Sequence, residues 1–270
     1  MERTATGPQA AASPPLTGTP LSDGTAAVIP APALPALLDG MPRQRGATPP
    51  ASAPALTLAE ARPNPLAARL WRLLPTPAGT PFTFAYAAVL ALTSAIGAVA
   101  APGLMNTLYQ DSSTDVAHLV QSPAVVLLAS ALWIAGGILS PYSAAFVLVL
   151  TALERRIGGA RAACVFLAGH VLATLATEIP VGLAVLLGHL PTTSLHRLDY
   201  GISFGVAASI GSLAGLLAPW FRWPLLTVMA GLLLSDLAEF VDPMTDWGHL
   251  IALTIGVASW PLVRRWAQPV

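Results

Sequence analysis

Tyr200-Gly201-Ile202-Ser203-Phe204-Gly205-Val206-Ala207-Ala208-Ser209-Ile210-Gly211 opens a run that carries no charged side chain as far as Phe221. A charge-free apolar stretch of this length suits a membrane span, which needs about 20 residues to cross the hydrocarbon layer. Small residues recur along it at Gly201, Gly205, Ala208, Gly211 and Gly215. Such spacing lets a second helix approach closely, which is how helices associate where lipid is as apolar as leucine. Gly201-Ile202-Ser203-Phe204-Gly205 also imitates the nucleophile elbow of soluble hydrolases, but that motif requires a strand before the serine. Nothing ahead of Ser203 alternates as a strand does, so the elbow is discarded.

The rest of the chain agrees. Of 270 residues, 54% are hydrophobic and only 10% charged, where soluble domains carry about a quarter. Charges are also missing from 73–110, 116–153, 162–177 and 247–263. The single cysteine, Cys164, excludes an intrachain disulfide and any multi-cysteine metal site. A formal net charge of zero gives no reason to expect nucleic acid as a partner.

Residues 1–65 read differently. Sixteen of the 26 prolines lie within the first 81 residues, among Ala, Thr, Ser and Gly. Such a segment has too little apolar surface to offset its ordering entropy and is expected to be a disordered cytoplasmic tail. Residues 66–81 form a juxtamembrane segment. Its Arg69, Trp71 and Arg72 among leucines suit either a surface helix or a simple run-in.

Six spans are drawn at 82–103, 123–153, 160–188, 200–218, 223–240 and 246–263. The second is overlong and is interrupted by Gly136-Gly137 and Pro141. Residues 123–138 are therefore read as a membrane-embedded or re-entrant element that leads into a helix ending near Glu154. The excess of basic residues on cytoplasmic loops orients the whole. With both termini inside, Arg69, Arg72, Arg155, Arg156, Arg161, Arg222, Arg264 and Arg265 share the inner face, and only Arg197 is outside. Asp111, Asp115, Asp199, Asp242 and Asp246 gather outside.

In that topology the fourth and sixth spans both enter from the outer face, and Ser203 and His249 are the fourth residue of each. At about 1.5 Å rise per residue, a hydroxyl and an imidazole share one depth. An ionisable group so placed is costly and marks function by default. Serine is a poor nucleophile until a base takes its proton, and histidine is such a base. Gly201 and Gly205 flank the serine. Gly248, Ala252 and Gly256 accompany the histidine at helical spacing.

Three stretches resemble the rhomboid family of intramembrane serine proteases. Glu154-Arg155-Arg156-Ile157-Gly158 resembles its acidic-x-x-x-glycine signature, Gly201-Ile202-Ser203 its nucleophile segment, and Gly248-His249-Leu250 with Ala252 and Gly256 its sixth-span histidine. The resemblance covers about 80–265 and implies an all-α polytopic membrane protein. This would be a six-span rhomboid-like bundle (82–265) behind a disordered tail. It further implies a Ser203–His249 dyad that cuts other proteins' membrane helices near their outer ends, in a bacterial plasma membrane, without metal or cofactor. Several positions depart from the family pattern. Phe204 stands where glycine is usual, and Ala207 where a tyrosine often stacks on the histidine. The stretch from Ile138 to Tyr142 lacks the histidine and asparagine that serve the oxyanion, and the first-loop Trp-Arg pair is missing. A catalytically silent relative that binds client membrane helices as a scaffold or adaptor is thus the second reading. A transporter would carry paired broken helices and a channel a polar ring; neither pattern is evident.

Other polar residues are secondary candidates. His170, Thr174 and Glu178 recur at four-residue spacing as one stripe on the third span. His170 suits interhelical packing better than an oxyanion role. Glu178 either orients His249 or faces water. Phe204, Gly205 and Gly248 are further supporting positions for the dyad.

Overall fold

The computed structural model describes residues 73–268, so the expected tail and most of the juxtamembrane segment lie outside the described residues. Among the described residues there are ten α-helices and no strand. They are α1 (Pro81–Val99), α2 (Pro102–Asp111), α3 (Val116–Gln121), α4 (Pro123–Ser130), α5 (Pro141–Ile157), α6 (Gly159–Leu186), α7 (Ser203–Ala214), α8 (Pro219–Glu239), α9 (Pro243–Ala258) and α10 (Trp260–Ala267), with a 3-10 turn at Thr192–His196.

Proline sets many of the boundaries. α1, α2, α4, α5, α8 and α9 each begin on one, because a missing N–H costs nothing at the first helical position. Between α5 and α6 the backbone at Gly158 has φ 85°, which a side chain would strain. The interruption at Gly136-Gly137 and Pro141 is real. α4 is short, the chain is irregular from 131 to 140, and α5 starts afresh.

Several drawn segments are corrected, and the first of them, drawn as 82–103, ends at Val99 before a separate helix begins at Pro102. The fourth span, drawn as 200–218, is helical only over Ser203–Ala214. The sixth, drawn as 246–263, starts at Pro243 and breaks after Ala258. Pro261 cannot donate to the Val257 carbonyl, so the ladder stops and α10 sets off separately.

α1, α6 and α8 are long and apolar enough to cross a membrane. α7, of 12 residues, is only about 18 Å long, short of the roughly 30 Å hydrocarbon layer. It is instead the centre of the bundle, buried from Phe204 to Ala214 and packed on α5, α6, α8 and α9. A helix apolar on all sides is stable in a protein core or in lipid, and one too short to span takes the core.

The small residues do what their spacing suggests. A Cβ added at Gly211 or Gly256 would run into backbone across the α7–α9 contact, and one at Gly205 would lie 2.5 Å from the Phe166 ring on α6. Tyr86 of α1 closes the other side, with its ring edge-on to Phe146 at 5.1 Å and to Phe166 at 5.3 Å. Leu90, Leu150, Val206, Ile210 and Leu253 fill the same cluster.

Polar bonds add register. Buried Glu154 accepts from the Phe82 N–H at 3.0 Å and from the Thr83 N–H and hydroxyl, both at 2.7 Å. It thereby caps α1, whose first donors otherwise have no partner.

Candidate functional site

Ser203 is the first residue of α7. Gly201 has φ 123°, a region closed to L side chains, and this turn swings the chain into the helix. The turn is bonded to the irregular stretch after α4. The Gly201 N–H donates to Ser130 O at 3.0 Å and the Ile202 N–H to Trp133 O at 3.2 Å. The first bond within the helix runs from the Val206 N–H to Ile202 O. The N–H groups of Ser203, Phe204 and Gly205 therefore have no intrahelical acceptor. They stand at the positive end of the helix dipole, next to the Ser203 hydroxyl.

His249 lies in the second turn of α9 and is 5% exposed. Two rings hold it. Phe204 meets it edge-on at 5.2 Å and covers Gly248, where an added Cβ would collide with the Phe204 ring. Tyr142, one residue into α5, stacks on it at 5.6 Å with the planes 17° apart. The Tyr142 hydroxyl is 3.4 Å from His249 Nε2, and Nδ1 is buried without a partner. That hydroxyl contact is longer than a strong O–H···N bond and is readily exchanged. The first turn of α7 and the second turn of α9 thus touch through the residue after Ser203, although His249 is hydrogen-bonded to Tyr142 and not to Ser203.

The supporting candidates part company. Phe204 and Gly248 lie on this contact, whereas Gly201 faces Trp133 and Ala135 and Gly205 faces the Phe166 ring of α6. Nor does His170 lie on it. Its Nε2 pairs with Ser130 Oγ at 3.0 Å and Leu127 O at 3.1 Å, which ties α6 to α4. Glu178 neither orients His249 nor faces water. It is buried, and its Oε1 accepts from Arg197 at 2.6 Å.

Arg197 holds a network at this end of the bundle. It also donates to Thr245 at 3.0 Å and Asp242 at 3.4 Å and stands 3.8 Å from Asp199. Thr114 donates from its N–H to Asp199 O at 2.8 Å and from its hydroxyl to the Asp199 carboxylate at 3.1 Å. Burial holds the Asp199 carboxyl above its ordinary range despite the neighbouring Arg197. Burial would lower the Arg197 value, yet Asp199, Glu178 and Asp242 together raise it. Arg155 of the second-span signature and Arg161 at the start of α6 lie at the opposite end, where Arg155 donates to Leu74 O and Arg161 to Trp266 O.

Sequence reasoning did not single out Tyr142. Its signal was present: the stretch searched for a missing histidine or asparagine contains one hydroxyl-bearing ring, immediately after the helix-starting Pro141.

A family model described as "Rhomboid-like protein" matches residues 78–269. The chain belongs to the rhomboid-like family. It is an integral membrane protein whose described part is the family's helical domain. Comparison with curated proteins and with solved structures finds no match.

Proposed function

We propose that this rhomboid-like protein is an intramembrane serine endopeptidase that uses Ser203 as nucleophile and His249 as general base. The observation that carries the reading is the contact between the first turn of α7 and the second turn of α9, where Phe204 packs edge-on against His249. Ser203 Oγ adds to the scissile carbonyl carbon as its proton passes to His249 Nε2, which leaves Tyr142 for the serine. The resulting oxyanion meets the N–H groups at the head of α7, preorganised donors in place of the missing side chains. His249 returns the proton to the leaving nitrogen, the C–N bond breaks, and water hydrolyses the acyl-enzyme by the same steps in reverse. Tyr142 keeps the imidazole in plane. Substrates are transmembrane helices of other proteins, cut near the non-cytoplasmic face, with both termini of this chain cytoplasmic.

A second reading, a silent scaffold that binds client helices, is favoured by one observation: Nε2 is directed at Tyr142. The test is cleavage of a model membrane-helix substrate by purified protein beside Ser203→Ala and His249→Ala. Product from the unmodified chain alone, with all three folded, supports the protease. Equal product from the variants sinks the dyad. If there is no product but the intact substrate helix is retained, the scaffold reading takes over.

A further inference from the structure

At the C-terminal end of α7 two arginines close on one indole. The guanidinium carbons of Arg222 and Arg264 lie 5.1 and 4.9 Å from the centre of the Trp260 ring. Arg222 donates from Nε to Ala214 O at 2.9 Å and from Nη2 to Leu217 O at 2.7 Å, and Arg264 donates from Nε to Gly215 O at 3.0 Å. Trp260 Nε1 is fixed on Gly211 O at 2.8 Å. These bonds satisfy the last carbonyls of α7, but they do not balance the charge. A helix C-terminus supplies about half a negative charge, against two full positive ones. Among the described residues every ion pair belongs to Arg197 or His118, and none to Arg222 or Arg264.

The surplus charge opens onto a hollow of about 500 Å³, lined by Gly215, Leu216, Leu217, Ala218, Arg222 and Arg264. Arg222 Nη1 and both terminal nitrogens of Arg264 have no acceptor among the described residues. Beside the hollow, at the start of α8, Trp220, Phe221 and Trp223 are 69%, 55% and 58% exposed. Exposed aromatic residues at a helix end mark the headgroup level of a bilayer. At that level the phosphates of membrane lipids would lie within reach of the arginines.

We infer that Arg222 and Arg264 form a binding site for the phosphodiester headgroup of an anionic phospholipid, held in the hollow at the C-terminal end of α7. Planar guanidinium forks suit phosphate oxygens, and basic pockets between membrane helices take such headgroups. The inference is independent of whether Ser203 is active.

The experiment uses the full chain, purified in neutral detergent, with phosphatidylglycerol as probe and phosphatidylcholine as reference. Retained lipid is read by native mass spectrometry and the unfolding midpoint by a thermal scan. The unmodified chain is expected to retain phosphatidylglycerol selectively and to unfold at a higher temperature with it. Arg264→Gln should bind it about fivefold more weakly, the effect of one basic group near an anionic surface. In phosphatidylcholine it should still unfold in one cooperative transition, with its midpoint lowered only by the loss of the Gly215 bond and the Trp260 contact, which verifies folding. Arg265→Gln, with the same loss of charge outside the hollow, should bind normally. Equal weakening in both variants would overturn the site in favour of diffuse attraction. Equal protection by inorganic phosphate would overturn the lipid as its source, and absence of selective retention would overturn both.

Discussion

Two buried histidines in this bundle have opposite surroundings. His170, between α6 and α4, places Nε2 on a hydroxyl and a carbonyl at 3.0 and 3.1 Å. His249, between α9 and α5, has one long contact at 3.4 Å and is otherwise held by the faces and edges of rings. The first is fixed by hydrogen bonds and acts as a link between helices. The second is fixed by shape, which leaves its Nε2 free to change partners. The general base of the proposed mechanism needs that freedom, so how each histidine is held is what would separate their roles.

The sharpest way to break the comparison is to remove each ring. His249→Ala is expected to abolish cleavage, a loss of at least about a thousandfold, or roughly 4 kcal/mol of barrier, with a modest change in unfolding midpoint. His170→Ala should do the reverse. It leaves Leu127 O without its donor and lowers stability by about 1–3 kcal/mol, while the folded fraction still cleaves. If the two variants lose activity alike, the division is wrong. Gly205→Leu probes the packing of α7 on α6, since its side chain meets the Phe166 ring. A loss of about 1–3 kcal/mol is expected, and an unchanged thermal midpoint would mean that α7 is not packed as described.

Tyr142→Phe refines the account of His249. If stacking is what matters, cleavage should stay within about tenfold, because the variant loses only a long hydrogen bond. Tyr142→Leu, which removes the ring face, should cost more. Equal losses would shift the role to the hydroxyl. The smallest effect belongs to Asp199. Its carboxyl titrates above the ordinary 3.8 in the folded protein, so the stability it contributes is complete below that value. It is lost as pH rises through the folded value. Asp199→Asn should flatten this part of a stability–pH profile and leave the midpoint at low pH nearly unchanged.

The sequence made some of this plain. Glycine spacing announced that α7 would be gripped closely, and Gly211 and Gly256 sit on backbone-to-backbone contacts as that spacing requires. The break around Gly136-Gly137 followed from local chemistry, and the break at Pro261 was equally readable but passed over. The short extent of α7 was harder, because hydropathy continues smoothly through 200–218 while the φ at Gly201 delays the helix start to Ser203 and the helix already stops at Ala214. Least legible was the Arg197 network, which joins residues from the first loop, α6 and α9. No periodicity in one segment records a partner tens of positions away. Tyr142 was missed for the same reason, since its importance lies wholly in the neighbour it stacks on.

The carboxylate of Glu154 has a bearing on how the molecule is made. It meets Thr83, 71 positions earlier in the chain. At a synthesis rate of about 5–20 residues per second, the first membrane helix waits several seconds for the group that completes its leading turn. Until then the amides of Phe82 and Thr83 have only water or headgroups to turn to, which holds that end of the helix at the bilayer surface. The leading turn of the first helix therefore cannot gain its side-chain cap until the chain has been made as far as Glu154.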